Sequence, residues 1–458
     1  MKQTKYDILL KPYREELLDS LKKFVAIPSK YDETTKDEYN PFGKSVSSAL
    51  NFIYELAISD GFVAHNYENK VVEILFGDYE ENVTVLAHAD VVPEGDGWDQ
   101  DPFEVIEKDG VLTGRGVSDD KGPLLAAYYA LKCIKENDLL GKYQIRFIVG
   151  GNEESGSLGV KYYFNTLKKK QPTYGFSPDA EFPLIFAEKG IYTFKCIGKV
   201  SVKDVISIKG GLAPNSVIEE CVITLKKDTD FVNYLSECKY PYKVEKEDNV
   251  IVTIEGLSAH GASPEYGKNA GVEALRLLSL FDEQNSELKH IYQCFIDLKG
   301  RGINAYCYSD AMECSSSMNV GVIYYSNNQL EITVNYRYVD TCDIIQTKKD
   351  IDEAILPLKV VSYNDSHLLF YDLESPLVKT LLKSYQEETG DYEHKPMAIG
   401  GGTYAKEADN ILAFGAEFPG WNSKMHSIGE CVKKEDLFKS MSVYLRAIIE
   451  LGRLIDEN

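Results

Sequence analysis

The sequence predicts an α/β chain of two domains, and three observations carry that prediction. Its 458 residues exceed what one hydrophobic core usually serves. An apolar run, Val83, Val85 and Leu86 around Thr84, reads as a buried strand that ends in His88, with Asp90 two residues on. Two more strand-like runs, residues 143–149 and 174–177, lead the same way into acidic residues, Glu153-Glu154 and Asp179. Ligands of an open α/β sheet bind outside the carboxyl ends of its strands, so chemistry is expected at these three ends.

From the start of the chain, Tyr6, Leu9, Leu10, Tyr13, Leu17, Leu21 and Phe24 recur at helical spacing and Pro28 closes the run, which predicts one amphipathic helix against the sheet. Residues 31–40 are polar and read as a solvated loop. A second helix is predicted over 44–57, ended by Gly61, and strands over 62–67 and 71–76. The stretch from Val91 through Trp98 to Phe103 is too rich in Gly and Pro for regular structure. It leads to Gly114-Arg115-Gly116 and Asp119-Asp120-Lys121-Gly122, where a glycine-rich turn delivers two carboxylates to a helix over 124–135. A helix N-terminus favours anionic groups, so capping stands beside chemistry as a reading of this pair. Beyond residue 189 strands dominate, over 191–197, 205–208, 217–225 and 250–254, until a helix over 377–386.

Composition excludes several functions. With 50 Lys+Arg against 72 Asp+Glu the formal net charge is −22, which repels phosphate backbones and anionic lipid, so neither nucleic acid nor a membrane is expected as partner. Nine Cys show no C-x-x-C pair, the first residues lack the apolar stretch of a secretory signal, and no run approaches membrane-spanning length. These features predict a cytoplasmic protein with free thiols.

Adjacent carboxylates at a strand end repel each other unless positive charge lies beside them, and a metal would supply it. His88, Asp119 or Asp120, Glu154, Asp179 and a second His would give two ions an imidazole and a carboxylate each, with one carboxylate shared. That mixed N/O set suits Zn²⁺, Mn²⁺ or Co²⁺. A ligating imidazole needs its other N–H fixed, which Asp90 is placed to do for His88. Elsewhere, His260 in Ser258-Ala259-His260-Gly261 reads by itself as a surface loop residue. Arg337, near the end of a strand from Leu330, reads either as a solvated edge charge or as a bidentate carboxylate holder. The loop Gly400-Gly401-Gly402-Thr403 suits an anion nest, and no P-loop Lys-Ser/Thr supports a nucleotide.

The motifs His88-Ala89-Asp90-Val91-Val92-Pro93, Gly114-Arg115-Gly116 through Asp119-Asp120-Lys121-Gly122, Asn152-Glu153-Glu154-Ser155-Gly156 and Pro178-Asp179-Ala180-Glu181-Phe182-Pro183 occur in this order. Together they resemble the dinuclear metallohydrolase family of acetylornithine deacetylase, succinyl-diaminopimelate desuccinylase, aminoacylase and carboxypeptidase G, and most of all its PepV-type dipeptidases, over nearly the whole chain. The resemblance implies a catalytic domain over 1–188 and 372–458, a central mixed sheet flanked by helices, and an inserted α+β lid of two similar halves over 189–371. It implies that His88 and Asp179 hold one metal, Glu154 and His426 the other, and that Asp119 bridges both, the Lys-Gly follow-on aligning Asp119 rather than Asp120. By the same resemblance Asp90 supports His88, Glu153 is the general base, lid residue His260 donates to the scissile carbonyl oxygen, and Asn215, Arg337 and the loop of Gly401, Gly402 and Thr403 contact substrate. Lys406 stands where relatives often carry Arg, and Gly429 where they often carry Asn or Asp before the Glu.

The expectation is a cytoplasmic dipeptidase that uses two divalent ions, Zn or Mn with Co possible, on short unblocked peptides. A two-halved lid implies a monomer, with a homodimer as the alternative. An N-acyl amino acid deacylase is the second enzyme reading, and a catalytically silent peptide- or metal-binding relative is the reading from another class.

Overall fold

The strand Asn82–His88 is buried along its whole length in the computed structural model, which describes residues 3–457. It pairs in parallel with Gln144–Gly150, Val83 opposite Ile145 and His88 opposite Gly150, and on its other side in parallel with Tyr174–Ser177. Ile411–Ala413 continues in parallel beyond Tyr174–Ser177, while Val71–Phe76 and Val63–Tyr67 extend the opposite side in antiparallel pairing. Three parallel strands therefore end on one edge, at His88, Gly150 and Ser177. The loops beyond them carry Asp90, Glu153, Glu154 and Asp179.

Near-continuous burial of the parallel strands follows from helices on the sheet, since both strand faces are then covered. Lys121–Glu136 and Lys434–Asp456 pack on Asn82–His88, and Lys44–Ser59 on the first two strands. Gly122 opens the turn into the Lys121–Glu136 helix because the preceding loop crosses it closely. A Cβ there would lie 2.1 Å from the Val117 carbonyl oxygen.

The single opening helix expected from apolar spacing is broken. Lys5–Leu10 and Arg14–Val25 are separate α-helices joined by a short turn of tighter helix at Lys11–Tyr13. Pro12 explains the break, because it has no N–H to donate and its ring displaces the carbonyl four residues back. Apolar spacing continues across it because both pieces face the same core.

Met1–Phe186, Tyr371–Met397 and Gly402–Asn458 form one compact unit, and Ala187–Phe370 with Ala398–Gly401 a second. The second unit is an eight-stranded antiparallel sheet in the order Tyr242–Lys246, Val250–Glu255, Glu220–Leu225, Val205–Gly210, Ser317–Ser326, Gln329–Tyr338, Gly190–Lys199, Lys359–Ser366. Its inward residues, among them Phe194, Ile223, Val252, Ile332 and Val334, form a core with Leu275 and Leu278 of the helix Ala270–Phe281 and Ile351 of Ile344–Ala354. Alternating burial along Val250–Glu255 and Gly190–Lys199 is the period of a sheet with one covered face.

The expectation that every thiol is free is corrected. Cys307 and Cys342, 35 residues apart in sequence, form a disulfide with 5.8 Å between Cα atoms, and seven other cysteines are free. Spacing in the chain does not reveal that pair, because the fold brings the two segments together. Among the described residues no helix is long and apolar enough to cross a membrane.

Candidate metal centre

Five side chains meet beyond the three strand ends. His88 Nε2 lies 3.0 Å from Asp119 Oδ1 and 3.6 Å from Asp179 Oδ2, and His426 Nε2 lies 2.8 Å from Asp119 Oδ2 and 3.3 Å from Glu154 Oε2. Asp119 thus turns one oxygen to each imidazole. Two groups result, His88-Asp119-Asp179 and Asp119-Glu154-His426, each with its ligand atoms within 4.8 Å of one another.

Asp120 does something else. It occupies the N-cap position of Lys121–Glu136 without capping it, and its carboxylate accepts the backbone N–H of His88 at 3.1 Å. The capping reading of the pair is not what the structure shows.

His88 is oriented from behind. Its Nδ1 lies 3.0 Å from the Asp90 carbonyl oxygen and 3.5 Å from the Asp90 carboxylate, so Nδ1 donates to Asp90 and Nε2 is the nitrogen turned toward Asp119. The Asp90 carboxylate accepts the N–H groups of Glu153 at 3.0 Å and Glu154 at 3.2 Å. Asp90 therefore supports His88 chiefly through its carbonyl, and its carboxylate holds the Glu153-Glu154 turn.

Crowding of carboxylates shows in their titration. Burial and then the charge of Asp119 push Asp179 up to about 8, and burial followed by the charge of Asp179 raises Glu153 well above the usual carboxylate range. Burial and Asp119 raise Glu154 as well. Burial also pushes Asp119 upward, yet hydrogen bonds from both imidazoles outweigh it and hold its carboxyl low. His426 is raised to about 11 by its bonds to Asp119 and Glu154. Burial pulls His88 down, and Asp119 and Asp90 more than reverse it. Protons hold these oxygens and nitrogens together in the way a cation would.

The donor set fits divalent metal ions. It combines imidazole nitrogens with carboxylates and contains no thiolate. Glu154 Oε1 is in addition a buried oxygen without a hydrogen-bond partner, which a cation would satisfy.

In the second unit, two loops are zipped together. Gly261 N–H donates to the Asn215 carbonyl at 2.7 Å and Val217 N–H to the Ala259 carbonyl at 2.9 Å, so Asn215 and His260 stand on neighbouring loops. His260 Nδ1 accepts from Ala262 N–H at 3.4 Å, which places the ring proton on Nε2. Arg337 is 3% exposed, on a strand with neighbours on both sides, so it is no solvated edge charge. Its guanidinium donates from Nε to Asn335 Oδ1 at 2.9 Å and from Nη1 to the Gly400 carbonyl, and burial lowers its pKa to about 10. In the loop that follows Gly400, Gly401 is partly buried, Gly402 is exposed, and the Thr403 hydroxyl accepts from Ala405 N–H at 3.1 Å.

A profile of peptidase family M20/M25/M40 matches residues 84–450, which include every side chain of the centre. The chain belongs to this family. As an M20 member it is an enzyme of the peptidase class, a hydrolase of peptide bonds, and the family implies divalent metal. A candidate dipeptidase of Staphylococcus haemolyticus is 34% identical over 96% of this chain and 97% of its own length. One from Staphylococcus aureus is 32% identical over the same shares. Two solved structures share the M20 fold with the chain. Dug1p, the di-peptidase of Saccharomyces cerevisiae, has a TM-score of 0.59 at 16% identity over 98% of each chain. Human carnosine dipeptidase 1 has 0.57 at 14% identity over 98% of this chain and 99% of its own.

Sequence reasoning missed some neighbours of this M20 centre. Tyr404, fully buried, sets its ring edge-on to His88 with centroids 5.9 Å apart, in space that exists because residue 150 is Gly. A Cβ there would lie 2.2 Å from the Tyr404 hydroxyl. Lys121 is buried and donates to the carbonyls of Phe24 at 3.0 Å and Ile27 at 2.7 Å, burial lowering its pKa to about 7. The sequence marked that lysine only as part of the Asp119-Asp120-Lys121-Gly122 motif, with no sign of the carbonyls it meets. Away from the centre, His394 pairs with Asp391 at 2.8 Å, but the pair gathers no third donor among the described residues.

Proposed function

We propose that the chain is a dipeptidase that hydrolyses short unblocked peptides with two divalent ions, Zn or Mn. The observation that carries this reading is Asp119, whose two oxygens face two different imidazoles, each with its own further carboxylate. In this reading His88 and Asp179 would hold one ion, Glu154 and His426 the other, and Asp119 would serve both. Bound there, the ions supply charge that brings the pKa of a water toward about 7 and polarises the scissile carbonyl.

The remaining steps belong to the chain's own groups. Glu153 takes the proton of the attacking water and returns it to the leaving amine. His260 donates from Nε2 to the oxygen on which charge develops, which its tautomer permits. Arg337 pairs with the free carboxylate of the peptide, its fork matching two oxygens. Asn215, Gly401, Gly402 and Thr403 complete that contact. Named dipeptidases among the relatives and fold neighbours support the substrate class.

The test is hydrolysis of one unblocked dipeptide beside its N-acetylated twin, with protein loaded with Mn²⁺ or Zn²⁺ and a chelated control. Metal-dependent cleavage of the free peptide alone is expected, because a site that pairs an amine rejects the blocked analogue by up to about 10⁴. Preference for the acetylated twin would replace this reading with a deacylase. Silence on both with two ions bound would make the chain a binding protein. The same proposal includes a monomer and a cytoplasmic location, which light scattering and cell fractionation check.

A further inference from the structure

Glu430 is fully buried four residues after His426, and its carboxylate is the hub of the loop that presents Asp119. Oε1 accepts the backbone N–H groups of Gly116 at 3.1 Å, Ser118 at 2.9 Å and Asp119 at 3.1 Å, while Oε2 accepts Gly116 N–H at 3.1 Å and Arg115 Nη1 at 2.7 Å. The Glu430 carbonyl also accepts Gly114 N–H at 3.0 Å, and Cys431 pairs with Thr113. Glu430, 311 residues from Asp119 in sequence, thus ties the segment that carries His426 to the loop that carries Asp119.

We propose that Glu430 is a positioning residue that sets His426 and Asp119 at the separation their shared ion requires. This assignment rests on the proposed metal reading. The physical case is asymmetry of support. His88 ends a buried strand and its ring is held at Nδ1 by the Asp90 carbonyl. His426 lies in a segment without helix or strand, at a left-handed φ of 59°, with its side chain 53% exposed. A non-glycine residue keeps that φ only where its surroundings over-determine it, and Glu430 is the buried anchor next along the chain. Charge matters as well as shape, because the carboxylate meets three backbone N–H groups and a buried guanidinium. An amide in its place would turn one NH₂ toward those donors.

The test titrates the metal-free full-length chain with Zn²⁺ against a chromogenic chelator, and compares the wild type with Glu430→Gln and Glu430→Asp. Glu430→Gln is expected to weaken the ion held with His426 about 10- to 100-fold, the range for partners that orient ligands, and to weaken the ion held with His88, which shares Asp119 but keeps its own support, by clearly less. Glu430→Asp keeps the charge and is expected to recover part of the loss. A Co²⁺ spectrum that loses the contribution of one site and keeps the other would show the same split. Equal weakening of both ions, or of neither, in variants that melt cooperatively would overturn the assignment. Should Glu430→Gln not fold, Glu430→Asp alone decides it by the same criterion. A wild type that binds fewer than two ions would instead refute the metal reading itself, so the two failures are distinguishable.

Discussion

Asp119 and Asp120 are adjacent and chemically identical, yet the backbone turn sends one to the His88 ring and the other to the His88 backbone. One oxygen pair meets two imidazoles, and the other carboxylate accepts the His88 amide. Asp119→Asn should therefore abolish binding of at least one ion, whereas Asp120→Asn should keep two ions, and metal analysis after dialysis separates the outcomes. Glu153→Gln is expected to bind both ions normally and lose about 10²- to 10⁴-fold in kcat, the usual worth of a general base. Retained turnover with normal metal content would remove Glu153 from that role. Because Asp179 and His426 bind protons up to about 8 and about 11 respectively without metal, ions must displace those protons. Metal affinity should rise as pH goes from 6 to 8, with proton release seen as a buffer-dependent binding enthalpy. Glu153 and Asp179 were legible because each follows a strand end within a few positions, Asp119 and Asp120 because a glycine-rich turn delivers them to a helix, and His426 only through the family resemblance. Glu430 was visible only as part of a motif, and its partners at 114–119 are not readable from spacing.

At the scale of elements, parallel pairing is what turns three separate motifs into one site. His88 opposite Gly150, with Tyr174–Ser177 alongside, puts three loops at one edge. In the second unit the strand Ser317–Ser326 supports the loops of Asn215 and His260. Asn319 Nδ2 donates to the carbonyls of Pro214 and Ser216, both at 2.9 Å, and a Cβ at Gly321 would lie 2.3 Å from the Pro214 oxygen. Asn319→Ala is expected to lower kcat/KM by about 10²-fold through misplacement of these loops, with metal content unchanged. Unchanged kcat/KM would show that the loops hold their place without it. Apolar periodicity made part of the strands and helices readable, whereas the helices Ala270–Phe281, Ser286–Ile296, Ile344–Ala354 and Lys434–Asp456 were not named from it. The break at Pro12 was missed because the apolar spacing runs through it, and the interior place of Arg337 because strand order is a long-range property.

For the whole molecule, metal and pH act together on stability. Asp179 is raised from 3.8 to about 8 and His426 from 6.5 to about 11, so the folded metal-free chain holds protons that the unfolded chain has released. Stability from these two groups is full at low pH and is lost as pH rises through the folded values. Ions replace those protons, so the gain in Tm on loading with Zn²⁺ should grow from pH 6.5 to pH 9. At a free metal concentration 100 times Kd one ion adds about 2.7 kcal/mol. A gain that shrinks with pH would contradict the titration of the centre. The order of motifs, the acidic composition and the apolar periods are properties of the chain read in line, and they were enough for the class of fold, the family resemblance and the five clustered side chains. Which oxygen faces which imidazole, that Asp90 works through its carbonyl, that Arg337 is buried and that Cys307 meets Cys342 depend on contacts between distant segments. Those contacts arise only when the sheets and their loops have packed, because burial and distance, unlike pattern, are not carried by any one stretch of sequence.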